Sequence, residues 1–140
     1  MAHLTKTLAF VLVAGCLLWL SPIASATDEQ AIRAVPRITI DELKVLMAEK
    51  SVLVLDVREP GSFAKGRIPG AINIDYTEIL AKGAQFTGDK RTIVAYCACA
   101  NEMTAARAAV DLAAKGLPGA KALKAAGMNG LPAKSQSKSS

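Results

Sequence analysis

The chain has 140 residues and a formal net charge of +5, with 51% hydrophobic residues but only 4% aromatic ones. That length accommodates one domain of ordinary size and not two. The basic residues are scattered and few aromatics stand among them, so the footprint of a nucleic-acid binder is missing and no nucleic-acid partner is expected.

The apolar excess is concentrated near the start. Residues 8–20 carry no charge, and Lys6 stands just before them. A membrane span needs about 20 apolar residues, whereas a shorter run behind a positive charge suits the h-region of a secretory signal peptide. Ser21 and Pro22 end the run, and Ala24, Ser25 and Ala26 supply the small-x-small cleavage pattern. Cleavage is expected after Ala26, which makes 1–26 a signal peptide and the mature protein periplasmic or secreted. Val13-Ala14-Gly15-Cys16 also resembles a bacterial lipobox, although the apolar run continues past Cys16, where a lipoprotein usually turns polar. Lipidation of Cys16 or retention of the leader is the alternative, and the only expected route to a membrane.

Cleavage would also remove His3, the single histidine, together with Trp19 and one of the three cysteines. Histidine-dependent triads and dyads are then excluded within the mature chain. Cys97 and Cys99 give too few soft ligands for zinc.

Residues 27–37 read as a polar lead-in containing Pro36. Thr39 and Glu42 fit a capping box, and Leu43, Leu46 and Met47 follow at helical spacing. Val52-Leu53-Val54-Leu55 is continuously apolar, as in a strand buried on both faces of a parallel sheet. Glu59-Pro60-Gly61 is a turn signal. Residues 68–74 read as a loop entering a short strand, and 75–82 as a helix. Thr92 to Tyr96 is a second buried strand. Residues 103–115 form an Ala-rich helix with Gly116 at its C′ position, and 120–124 a last strand. The domain is expected to span 38–130, and the polar tail at 131–140 to be disordered.

Strands alternating with helices predict an α/β fold with a mostly parallel sheet. Ligands gather at the carboxyl ends of such strands, which singles out Asp56-Val57-Arg58 and the segment Cys97-Ala98-Cys99-Ala100-Asn101-Glu102. A thiol at Cys97 faces the amino end of the Ala-rich helix, and helix amides stabilise the reactive thiolate. Cys97 therefore has a physical reason to be nucleophilic without a histidine, although a buried cysteine that only packs fits the same position.

These residues carry a family resemblance. Asp56-Val57-Arg58-Glu59, then Phe63 with Gly66-Arg67-Ile68-Pro69-Gly70-Ala71-Ile72-Asn73-Ile74, then Tyr96-Cys97, resemble the rhodanese-like domain. That family's usual texts are D-V-R-E, F-x-x-G-H-I-P-G-A-x-N-I and Y-C, in that order. The resemblance covers roughly residues 37–130 and implies a five-stranded, mostly parallel sheet flanked by helices. It also implies a sulfurtransferase in which Cys97 takes the outer sulfur of a donor as a persulfide and yields it to a thiol or cyanide. Ala98, Cys99, Ala100, Asn101, Glu102 and Met103 would form the loop that cradles the persulfide with backbone amides. The resemblance implies no metal or organic cofactor, and as partners a small sulfur donor or a persulfidated protein, and a thiol acceptor.

The chain departs from the pattern in places. Arg67 stands where the family commonly has a structural histidine. The loop contains no base and one acid, Glu102, whose charge repels thiosulfate, so weak use of that donor is expected. Related phosphatases use C-x-x-x-x-x-R, and here Met103 occupies the arginine position. Ala126-Gly127-Met128-Asn129 replaces the family's terminal Gly-Gly and Trp. Arg58 either faces the pocket or pairs with Asp56, Glu59 or Glu102, and Asp56 is read as structural. Cys99 is a small apolar loop residue or a second reactive thiol, in which case it bonds Cys97 or attacks its persulfide to release sulfide. Two other functions stay open, a thiol redox or disulfide-exchange protein using both cysteines and a non-catalytic rhodanese-like binding module.

Overall fold

The computed structural model describes residues 24–124. The expected leader, the segment 126–129 and the 131–140 tail lie outside the described residues, apart from the three residues that open the first helix. Five strands form a single parallel sheet in the order β1-β5-β4-β2-β3. They are β1 (Arg37–Ile38), β2 (Val52–Asp56), β3 (Ile72–Asn73), β4 (Thr92–Tyr96) and β5 (Lys121–Leu123). The helices are α1 (Ala24–Ala34), α2 (Ile40–Ala48), α3 (Pro60–Lys65), α4 (Ile79–Lys82) and α5 (Met103–Ala114). The protein is therefore an α/β fold with a five-stranded parallel sheet flanked by helices.

The strands present alternate residues to opposite faces. Leu53, Leu55, Ile93, Ala95 and Ala122 pack with Ile32 of α1, Ile79 of α4 and the buried stripe Ala105, Ala106, Ala108, Ala109 and Leu112 of α5. Val52, Val54, Val94, Tyr96 and Leu123 face the other way, onto Leu43 of α2 and Ile68. Both faces are covered, which is why β2 and β4 read as unbroken apolar runs. The alanines on α5 let its backbone come close to the sheet. Gly83 answers the same need, because a Cβ there would stand 3.0 Å from Leu112 Cδ2.

Local chemistry sets the helix ends. The Thr39 amide donates to Glu42 Oε2 at 2.6 Å, and the Glu42 amide to Thr39 Oγ1 at 3.3 Å, which completes the capping box of α2. At the far end of α5, Gly116 takes φ +85°, and the Leu117 amide reaches Leu112 O at 3.0 Å.

Three segments differ from the sequence reading. The polar lead-in is folded: α1 packs on α5 and buries Ile32 to 4% exposure. Ile32 as the one buried residue among 28–34 leaves too little periodicity to reveal a helix. Pro60 opens α3 rather than a turn, because its fixed φ suits the first helical position. The helix read over 75–82 is split into a 3-10 turn at Tyr76–Glu78 and α4, with Asp75 Oδ1 accepting from the Thr77 amide at 2.9 Å.

Candidate functional site

Strand parity decides where the cysteine points. Ile93 and Ala95 face α5, so the next residue of that parity, Cys97, does too, and it is 5% exposed within the same cluster. Tyr96 takes the opposite face. Cys97 is the first residue past the carboxyl end of β4, between β2 and β5 in the sheet.

The chain then turns through residues 98–102 into α5. Ala98, Ala100 and Asn101 are exposed, Cys99 and Glu102 half-buried, and Met103, the first residue of α5, is 40% exposed. Cys99 packs against the core cluster that holds Cys97, and the two are joined by a disulfide with Cα atoms 5.6 Å apart. The Glu102 amide donates to Cys99 O at 3.2 Å, and the Ala106 amide to Glu102 O at 2.9 Å. Glu102 does this in the left-handed region, at φ 43°, a conformation uncommon outside glycine. The first-turn amides of α5 have no intrahelical acceptors and open toward this loop, where they favour negative charge.

Glu102 does not stand as a bare charge. Its Oε1 lies 3.7 Å from Arg37 Nε, with both side chains about one-fifth exposed. Arg37 Nη1 also donates to the carbonyls of Ile32 and Arg33, at 2.9 Å each, at the C-terminal end of α1. It thereby ties α1 to the cysteine loop. The expected repulsion of an anionic donor by Glu102 is consequently offset. Nothing in the sequence singles out Arg37, since the pairing spans two distant segments.

On the opposite face, Asp56 is fully buried and collects the groups around it. Arg58 Nε donates to Asp56 Oδ1 at 2.8 Å and its Nη2 to Gly66 O at 2.7 Å. The Tyr96 hydroxyl donates to Asp56 Oδ2 and accepts from the Ile68 amide at 3.2 Å. Arg58 also lies 5.3 Å from the Tyr96 ring centroid. Asn73 Nδ2 bonds the carbonyls of Asp56 and Arg58, at 2.9 Å each. Burial, and next the bond to Asp56, push the Tyr96 hydroxyl well above its usual value, so it stays protonated. The bond to Asp56 holds Arg58 more firmly charged, against the effect of burial. Arg58 and Asp56 thus brace the neighbouring loops and lie on the face away from the thiol. Arg67 stacks on Phe63, 4.5 Å from its ring centroid.

A concavity of about 350 Å³ lies between residues 88–93 and 116–121. It sits at the amino ends of β4 and β5, the edge opposite Cys97.

The fold and the motif order agree with comparisons to other proteins. Residues 39–129 match the sequence pattern of the rhodanese-like domain. A human single-domain sulfurtransferase is 25% identical, with 64% of this chain and 89% of that one aligned and a TM-score of 0.52. The rhodanese-like domain of an Anabaena protein gives 21% identity, coverage of 74% and 83%, and a TM-score of 0.60. A stretch of 46 residues is 50% identical to an HTH-type transcriptional regulator of Mycobacterium tuberculosis, and spans 33% of this chain but only 20% of that protein. With the matched pattern covering most of its length, the chain belongs to the rhodanese-like domain family.

Proposed function

We propose that this protein is an exported sulfurtransferase or persulfide carrier that moves sulfane sulfur through Cys97. The carrying observation is the placement of Cys97: buried at the carboxyl end of β4, on the α5 face, with a short loop leading into that helix. The Cys97–Cys99 bond is first opened by a thiol that attacks Cys99, forming a mixed disulfide there and expelling the Cys97 thiolate. The Cys97 thiolate then attacks the outer sulfur of a donor, so that a Cys97 sulfur–sulfur bond forms as the donor's breaks and the donor remainder leaves with the electron pair. The amides of residues 98–103 hold the resulting anionic persulfide in a site shielded from water, where each donor counts for more than in solution. A thiol or cyanide acceptor then takes the outer sulfur and restores the thiolate.

Export rests on the run at 8–20 and the small residues before Thr27. Cleavage after Ala26 would trim the start of α1 and retain Ile32, its anchor in the core. The test is sulfur loading of reduced protein, followed by intact and peptide mass spectrometry. Addition of one sulfur atom to Cys97, lost in Cys97→Ser, is the expected result; loading of Cys99 alone would refute the assignment. The disulfide favours one second reading, a thiol–disulfide exchange protein using the same two cysteines. Such a protein would cycle between dithiol and disulfide and never carry the added sulfur.

A further inference from the structure

We infer that Cys99 is a built-in resolving thiol, which makes the protein a persulfide reductase that releases hydrosulfide. The inference rests on the persulfide reading above and goes one step past it. A persulfide on Cys97 places a leaving group on Cys97 Sγ. The loop brings Cys99 Sγ to bonding distance of that same sulfur, because the two are joined in the structure. Both residues sit against one apolar cluster, Cys97 within it and Cys99 at its edge, so the approach is fixed by packing. Cys97 is a buried residue, 5% exposed, so an attacker from solution reaches its Sγ poorly, whereas Cys99 is already there.

The step balances without an added oxidant. The Cys99 thiolate attacks Cys97 Sγ, the sulfur–sulfur bond to the outer atom breaks, and the Cys97–Cys99 bond forms. The outer sulfur leaves as hydrosulfide, taking the electron pair and the proton given up by the Cys99 thiol. The sulfane sulfur is reduced by two electrons, and the two cysteine sulfurs together are oxidised by two. Hydrogen sulfide is a stronger acid than an alkyl thiol, so hydrosulfide departs more readily than a cysteine thiolate. The disulfide seen here is then the product state of a turnover.

The cycle closes with a dithiol reductant, the partner class this chemistry requires. Its thiolate meets Cys99, the more accessible sulfur, at the edge of the cluster. Cys97 leaves, facing the amide end of α5 where negative charge is favoured. The reductant's second thiol then resolves the mixed disulfide on Cys99, returning both cysteines to thiols and leaving the reductant oxidised.

A single-turnover experiment on the reduced full chain tests this, with glutathione persulfide as the probe and sulfide measured alongside intact mass. The wild-type protein should release about one equivalent of sulfide without added reductant and end two hydrogen atoms lighter, with Cys97 and Cys99 linked in the peptide map. Cys99→Ser and Cys99→Ala should each stop at a Cys97 persulfide and release sulfide only after an external thiol is added. If the wild-type protein holds the extra sulfur as stably as these variants do, the resolving role is overturned while the persulfide reading stands. If neither the wild type nor the Cys99 variants gain sulfur, both fall together.

Discussion

Arg37, in the outermost strand, lies with its Nε 3.7 Å from Glu102 Oε1, the residue that leads the cysteine loop into α5. The contact joins a segment outside the matched family pattern to the loop that follows the candidate nucleophile. It also changes what the charge of Glu102 does, since an anion approaching the loop meets a pair rather than a lone carboxylate.

Replacing either partner should therefore move thiosulfate use in opposite directions. Glu102→Gln leaves the Arg37 charge in place and should raise thiosulfate kcat/KM. Arg37→Gln removes the positive charge beside the carboxylate and should lower it. Both groups are partly exposed, so the changes are expected to be a few-fold and to shrink as ionic strength rises. Rates with thiosulfate at low and high salt, set against a neutral persulfide donor that should respond little, check the prediction.

Asp56 is the residue whose loss should cost most. Asp56→Ala removes the charged partner of a mostly buried Arg58 and leaves the Tyr96 hydroxyl proton without its acceptor. Breaking a buried charged pair from one side typically costs about 3–5 kcal/mol, and denaturant titration should show a loss of that order. Tyr96→Phe keeps the ion pair and should cost about 1–3 kcal/mol.

The same tyrosine should limit stability in alkali. Its hydroxyl is held above the ordinary value of 10 by burial and by the bond to Asp56. A group whose value is raised by folding stabilises fully below its unfolded value and loses that contribution as pH rises through the folded one. The melting temperature should thus fall as pH climbs past about 10. Tyr96→Phe, starting lower, should fall less over the same range.

At the acid end the sign reverses. Glu42 is held low by the Thr39 amide and then the Thr39 hydroxyl, Asp75 by the Thr77 hydroxyl and then its amide, and Asp89 by Arg91, to about 2. Carboxylates lowered by folding stabilise above their ordinary values and lose that contribution as pH falls. Melting temperatures should therefore decline between about pH 5 and pH 2. Glu42→Gln should flatten the upper part of that decline, and Thr39→Ala should cost about 1 kcal/mol near neutral pH through loss of the cap.

The sheet was legible because its central strands are buried on both faces and bounded by turn residues. Val52 to Leu55 and Thr92 to Tyr96 could form little else, and the capping box and Gly116 carry their own chemistry. The position of Cys97 followed from the same logic of strand ends. Less was legible where an element is short or its partner distant. α1 shows a single deeply buried residue among residues 28–34, β1 has two residues in all, and Pro60 serves a turn and a helix start equally well. The Arg37–Glu102 contact and the convergence of Arg58, Tyr96 and Asn73 on Asp56 are products of the folded sheet. No local pattern in the chain announces them.

Tyr96 and Cys97 are consecutive and point to opposite sides of the sheet. A slip of β4 by a single residue would bring the phenol to the α5 side and turn the thiol toward Ile68. The Tyr96 hydroxyl, seated between Asp56 and the Ile68 amide, works as an indexing pin against that slip. It finds its seat in one register only, and in that register Asp56 stands opposite Tyr96 and the sulfur opens toward its loop. The network on the far face thus lies away from the candidate nucleophile and yet sets the aim of its sulfur.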